Sequence, residues 1–385
     1  MVDFINNLYT GILSTGIVGY LVFLTISTGI FAIFALGLNL QWGYTGLINF
    51  GHVGFMTVGA YTTILLTIQG VPLIIAAIAG AILAMIVGLA VGFSTLRLRE
   101  DYLAIVTIGV SELLRLIALN EEWLTKGAYG LQGYPLPLED FNPNWLSKGT
   151  MIVILSAIAL LAVWQLRLGI QREYEARKLK RPLNRLSLDL GLWGLVAVIF
   201  GGLVYLNSVI AIIDYDYKSG LMLLVLITLT VFYVVMETLG RSPWGRVLKA
   251  VREDEEVPRA LGKNVFWYKL QSFMLGGAIA GIAGAFYAWQ LTAIYPSNFQ
   301  PLVSFYAWTI VVLGGAGNNA GILLGAVIFW AYNSLTRFVL PELGLIDDTR
   351  IGAFRLLVIG LILMILMVTR PQGILGKKEE LTLGR

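Results

Sequence analysis

The chain has 385 residues, a formal net charge of +4 from 27 basic and 23 acidic side chains, 57% hydrophobic but only 13% charged residues, and a mean hydropathy of +0.79. Soluble globular domains carry about 25% charged residues, so this apolar surplus exceeds what one soluble core can hide and must face lipid. The lack of cysteine excludes disulfides and thiolate metal sites, the single histidine, His52, excludes a multi-histidine metal cluster, and the modest charge, gathered in loops, suits membrane topology rather than nucleic acid.

The N-terminal MVDFINNLY has no basic n-region and no small-residue cleavage site, so the first apolar run is expected to stay as a membrane helix. A span needs about 20 apolar residues. Such stretches lie at 17–40, 53–69, 72–95, 102–119, 150–168, 190–213, 219–239, 270–294, 303–334 and 354–370. The run 303–334 is too long for one crossing and is interrupted at Gly314-Gly315-Ala316-Gly317-Asn318-Asn319, which reads as two short helices flanking a break. The stretch Gly43-Tyr44-Thr45-Gly46-Leu47-Ile48-Asn49-Phe50-Gly51-His52 has the same Gly-rich, polar character. Broken backbone at membrane depth is tolerated only when buried in protein or lining a cavity; one break in each half hints at an internal repeat of the transporter kind. The expected fold is all-α, a polytopic membrane helix bundle of roughly 10–11 spans, forming a single transmembrane domain over 1–385.

Basic residues gather at 167–185 (Arg167, Arg172, Arg177, Lys178, Lys180, Arg181, Arg185), at 241–269 (Arg241, Arg246, Lys249, Arg252, Arg259, Lys263, Lys269) and, in the tail 371–385, at Lys377 and Lys378. Positive loops stay cytoplasmic. The loop 120–149, with Glu121, Glu122, Glu139 and Asp140, and the turn with Asp214 and Asp216 are acidic and are assigned outside; parity then places the N-terminus outside as well. Gly80, Ala84, Gly88 and Gly92 recur every fourth residue, as do Gly277 and Gly281, and Gly317, Gly321 and Gly325. This spacing marks close helix approach, within the bundle in preference to across a dimer. Glu112 and Arg115, three residues apart, are costly at membrane depth unless paired; a local ion pair that lets the helix insert is favoured over a gating role. A lone His52 reads as a structural hydrogen-bonder before it reads as a ligand.

In the segment 241–263, Ser242 is placed to cap a helix and Pro243 to open it. The helix is expected over 243–256, with a stripe of Trp244, Val247, Leu248 and Val251, broken at Pro258 and closed by Ala260-Leu261-Gly262. A short amphipathic helix between two spans suits docking into a groove of a cytoplasmic partner. The alternative is an interfacial anchor, against which the acidic run Glu253-Asp254-Glu255-Glu256 speaks. Gly262-Lys263 and Gly376-Lys377 lack the upstream glycine and the following Ser or Thr of a phosphate-binding loop. If ATP drives this chain, another chain must bind it. No residue set resembles a catalytic triad, a paired-carboxylate site or a metal site, which argues against an enzyme.

Four stretches carry a resemblance: LNLQWGYTGLINFGHVGFMTVGAYT at 38–62; LRLREDYLAIVTIGVSELLRL at 96–116 with TKGAYGLQG at 125–133; SPWGRVLKAVREDEEVPRALGKNVFWYKLQSFMLGGAIAGIAGAFYA at 242–288; and VVLGGAGNNAGILLGAV at 311–327 with RPQGILG at 370–376. Together they resemble the LivM-type branched-chain and neutral amino acid permeases of ABC importers, the cyanobacterial neutral amino acid permeases in particular. The third stretch is the most specific, because GRxLxAxREDE followed by ALG is similar to that family's coupling segment. One departure is the segment 145–215, which looks like an inserted pair of spans joined by the basic loop; that loop serves as a topology determinant in preference to an anionic-lipid contact.

The resemblance implies half of a heterodimeric pore in the inner membrane, paired with a second, shorter permease of LivH type. Two cytoplasmic ATPase subunits would hold the ATP and Mg, and a periplasmic amino-acid-binding protein would deliver substrate; this chain itself would bind no cofactor. It assigns ATPase coupling to Arg246, Arg252, Glu253, Asp254, Ala260, Leu261 and Gly262. For the translocation pathway the candidates are Gly43, Tyr44, Thr45, Gly46, Asn49, Gly51 and His52, with Tyr44, Thr45 and Asn49 offering hydrogen bonds; tight packing explains the glycines equally well. A urea permease shares much of the pattern. An ion-coupled secondary transporter would place its coupling acid at Glu112, and a partner-recruiting scaffold would leave both Gly-rich breaks without a purpose.

Overall fold

In lipid every backbone N–H and C=O must be satisfied within its own segment, and the apolar runs of this chain accordingly become helices. The structure, a computed structural model, describes residues 15–98, 100–178, 201–202, 204–342, 348–369 and 373–376. It divides into two units, one of residues 1–26 and 137–230, the other of residues 27–136 and 231–385.

In the larger unit, the first helix (α1, Thr15–Leu38, which begins in the smaller unit) runs into a π-helical turn, Asn39–Tyr44. The backbone then leaves helical geometry until His52, where α2 (His52–Ile68) begins. A turn at Gly70 (φ +89°) and Pro72 reverses the chain into α3 (Leu73–Thr95), followed by α4 (Glu100–Asn120). After the smaller unit the chain returns through the end of α7 (Tyr217–Arg241) into two short helices, α8 (Pro243–Glu253) and α9 (Glu256–Ala260), and then the long α10 (Val265–Leu291). Helices α11 (Leu302–Gly314) and α12 (Asn319–Glu342) meet at a bend, and α13 (Asp348–Thr369) completes the order. A two-residue antiparallel pairing, β1 (Leu131–Gln132) on β2 (Ala293–Ile294), ties the loop after α4 to the end of α10. The Tyr134 hydroxyl adds a bond to the Ala288 carbonyl at 2.5 Å.

The small-residue stripes are used inside this unit. A Cβ on Gly59 of α2 would fall 2.2 Å from the Gly281 carbonyl of α10, and one on Gly281 would fall 2.8 Å from the Ala84 Cβ of α3. The three helices touch backbone to backbone, which is what small residues permit in lipid. The opposite edge of α3, with Ile74, Ile75, Ile78, Ile82 and Phe93, is exposed.

The smaller unit has α5 (Trp145–Lys178), a helix at Val204–Ile213 (α6) and the first half of α7. Its core is Met151, Leu155, Ile212 and Leu223, with Ser156 and Tyr205 bonded through their hydroxyls at 2.8 Å. The expected span 190–213 falls partly outside the described residues, as do Lys180, Arg181, Arg185, Lys377 and Lys378.

Among the described residues six helices are long and apolar enough to cross a membrane, seven if the bent pair counts as one span. Of the expected stretches, 53–69 falls just short of a full span for a physical reason. Helix α2 starts only after the Gly-rich break, and its 17 residues reach about 25 Å, just under a hydrocarbon core of about 30 Å. The chain is a multi-pass helical membrane protein.

Candidate functional site

Both Gly-rich breaks and the 241–263 segment come together in the larger unit. Ser242 accepts a hydrogen bond from the Gly245 N–H at 3.2 Å and Pro243 opens α8, the start that capping chemistry dictates. Helix α8 buries Gly245, Leu248 and Val251. Trp244 donates to the Gln271 side chain on α10 at 2.8 Å. Lys269 and Glu255 form an ion pair that holds the start of α9 against α10. Arg246, Glu253, Asp254, Ala260, Leu261 and Gly262 all stand exposed; Leu261 is 75% and Val257 53% accessible. Arg252 is different. Its guanidinium turns inward, donates to the Gly43 carbonyl and pairs with Glu253 at 2.6 Å. Arg252, expected at the ATPase contact, makes this contact within the chain because α8 ends beside the Gly43 carbonyl at the end of the π-helical turn.

The stretch 43–52 is buried and internally bonded. The Thr45 hydroxyl donates to Ser272 at 2.7 Å, and Ser272 donates to the Leu40 carbonyl at 2.9 Å. Asn49 donates to Gln41 at 2.8 Å and accepts from the Gly51 N–H at 2.9 Å. Trp308 of α11 donates to the Asn49 carbonyl at 3.0 Å. His52 donates through Nε2 to the Phe34 carbonyl at 3.1 Å, while its buried Nδ1 has no partner. At Gly51 a Cβ would fall 1.8 Å from the Thr107 carbonyl. The Thr45 and Asn49 side chains, candidates for the pathway, hold the break together. A crevice lined by Asn49, Gly51, Phe55 and Thr107 has room for little more than one water.

The second break bends by 118° between α11 and α12. Gly315 (φ +108°) and Gly317 (φ +80°) adopt backbone that other residues avoid. Asn318 caps α12 by accepting from the Ala320 N–H at 3.1 Å, and its amide donates to the Leu375 carbonyl at 2.7 Å. The Ile374 and Leu375 N–H groups in turn reach the Leu313 and Gly314 carbonyls at 2.9 and 3.1 Å, satisfying acceptors that a helix end leaves open.

Asn39 and Glu237, to which the sequence assigns no role, join the breaks through Asn319 and Tyr44. Asn39 accepts from the Gly317 N–H at 2.8 Å and donates to the Asn319 side-chain oxygen at 3.1 Å. Asn319 donates to the Tyr44 hydroxyl at 3.0 Å and to Glu237 of α7 at 3.2 Å, and Glu237 is paired with Arg241. Lys249 of α8 lies 5.3 Å over the Tyr44 ring. The available signal was a polar Asn inside each of two apolar runs, since such groups seek one another in lipid. Glu112 and Arg115 form a two-pronged ion pair, with bonds of 2.5 and 2.9 Å, on a half-buried face of α4. Among the described residues no cluster of His, Cys, Asp or Glu has metal-binding geometry.

A family model described as branched-chain amino acid transport system / permease component matches residues 20–169 and 186–367. The chain is 31% identical over 349 residues to the high-affinity branched-chain amino acid transport system permease protein LivM of Escherichia coli K12, covering 90% of this chain and 68% of that protein. It is 25% identical over 369 residues to the probable branched-chain amino acid transport permease protein LivM of Methanocaldococcus jannaschii, covering 92% of each. To the permease protein LivH of Escherichia coli K12 it is 24% identical over 355 residues, covering 91% of this chain and 92% of that protein. No solved structure matches.

Proposed function

The chain belongs to the family of branched-chain amino acid transport system permease components, and from that premise we propose that it forms one half of the pore of an ATP-driven importer that carries branched-chain or other neutral amino acids across the inner membrane. A shorter, LivH-type permease supplies the other half. Substrate arrives from a periplasmic binding protein and crosses along the face shared by the two permeases. Two ATPase subunits hold the ATP and its Mg, and meet this chain at α8 and α9 on the cytoplasmic side. Their closure switches the pore between inward and outward access.

The observation that carries this reading is the outward face of α8–α9. Val257 and Leu261 project apolar surface into solvent beside Glu253, Asp254, Glu256 and Arg259, while the inner face is fixed by Leu248, Val251 and the Trp244–Gln271 bond. An exposed apolar pair ringed by charge is the anatomy of a docking surface. Purification in mild detergent tests it. The native chain is expected to bring ATPase subunits with it, and Leu261→Asp or the pair Glu253→Lys and Asp254→Lys to lose them while inserting normally. A stably inserted native chain that retains no ATPase would overturn the proposal.

A further inference from the structure

The outward face of α8–α9 accounts for docking, but not for how docking reaches the pore. The inner end of α8 is joined to both broken helices by side chains whose polar groups are mutually engaged. Arg252 donates to the Gly43 carbonyl, an acceptor at the C-terminal end of a helix, where a cation is doubly favoured by the open carbonyl and the helix dipole. Its Cγ lies 3.3 Å from where a Cβ on Gly46 would stand, so the arginine stem fills the space this glycine leaves. The next residue, Tyr44, receives the Asn319 amide on its hydroxyl and Lys249 over its ring. Asn319 also binds Asn39 and Glu237, and Asn39 binds the Gly317 N–H. Asn39, Tyr44 and Asn319 are 0%, 4% and 1% exposed. A buried network of this kind resists being half broken, because each member left alone loses its only compensation for desolvation. On either side lie glycines with positive φ, Gly46 at +78° and Gly317 at +80°, positions where the backbone can change direction without side-chain strain.

We propose that Arg252, Tyr44, Asn39 and Asn319 form the transmission of the importer, a rigid junction between two glycine hinges that moves both broken helices when the ATPases move α8. The four are positioning residues: none of them contacts ATP. This rests on the reading of α8–α9 as the ATPase dock. Coupling is carried by an element that has two discrete arrangements; here the discrete step is the junction moving as one body about the hinges, in place of a gradual deformation of tight packing.

The test uses the whole importer, both permeases with their ATPases and binding protein, in proteoliposomes, with radiolabelled leucine uptake and ATP hydrolysis measured on the same vesicles. For Arg252→Gln and Asn319→Leu, leucine moved per ATP is expected to fall by about 2- to 30-fold, the range for residues that carry coupling, with ATPase subunits still bound. The double variant is expected to be no worse than the worse single one, since neighbours in one network are not additive, and Arg252→Lys, which keeps a cationic donor, is expected to recover part of the loss. Tyr44→Phe covers the case in which Asn319→Leu fails to fold: it keeps the ring beneath Lys249, removes only the hydroxyl, and is expected to lower the same ratio. An unchanged ratio in Arg252→Gln and Tyr44→Phe, or uptake and hydrolysis falling in parallel as complexes dissociate, would overturn the transmission and leave the junction a structural one. A native chain that binds no ATPase would instead overturn the docking reading, which separates the two failures.

Discussion

The two units of this chain hold their helices together in different ways. In the larger unit α2, α3 and α10 meet backbone to backbone: a Cβ on Gly59 would fall 2.2 Å from the Gly281 carbonyl, and one on Gly284 would fall 2.1 Å from the Met56 carbonyl. Buried Asn, Gln, Ser and Thr then lock the breaks between helices. In the smaller unit Gly149, Gly201 and Gly202 would each meet nothing within 4 Å on gaining a Cβ, and side chains such as Met151, Leu155, Ile212 and Leu223 fill the core. Close backbone packing with polar locks permits few geometries. Packing by flexible aliphatic side chains tolerates change.

The sharpest test of this contrast is Gly59→Ala or Gly284→Ala. Neither added methyl has room, and what it meets is backbone, so the cost is expected to exceed about 3 kcal/mol, the upper end of ordinary overpacking. Little folded protein should survive extraction, as judged by thermal melting in detergent; a melting point within a few degrees of the native value would show that the helices can separate and would erase the contrast. Next in size is Asn49→Leu. It leaves the Gly51 N–H and the Gln41 side-chain Oε1 without these partners in a buried site, at an expected cost of about 1–3 kcal/mol, read as a lower melting temperature with the chain still inserted.

Local chemistry was legible in the sequence and distant pairing was not. The break at 314–319 was marked by four small residues and two asparagines in a row, the start of α8 by Ser242-Pro243, and the Glu112–Arg115 pair by its spacing. Each depends on residues within a turn or two of one another. The Asn39–Asn319 bond spans 280 positions, and no periodicity encodes it. The resemblance assigns Arg252 to ATPase coupling but does not show that, one position after the buried Val251, it donates to the Gly43 carbonyl. For Tyr44, Thr45 and Asn49, the sequence showed polar groups at a break without showing that the chain itself engages them.

A smaller effect is expected at Glu112 and Arg115. The pair lies on a membrane-spanning helix, and removing both charges together in Glu112→Gln with Arg115→Gln leaves no charge unpaired there, so the change in stability should be near neutral. Leucine uptake by the assembled importer should persist. Loss of uptake with unchanged stability would return Glu112 to the role of an ion-coupling acid and weaken the ATP-driven reading.

The last effect has the opposite sign to the first, and so presses hardest on the comparison. Gly149 lies in α5 of the smaller unit, and a methyl there meets nothing. With no clash to offset it, the substitution acts mainly on the unfolded chain, which loses conformational freedom, and on helix propensity, where glycine is the poorer residue. Gly149→Ala should therefore raise stability by about 0.4–1 kcal/mol, seen as a small rise in melting temperature with uptake unchanged. The same glycine-to-alanine change would then destroy one unit and firm the other. A loss at Gly149 comparable to that at Gly59 would mean that something packs against this face of α5 in the assembled importer, and the smaller unit would have to be counted among its interfaces.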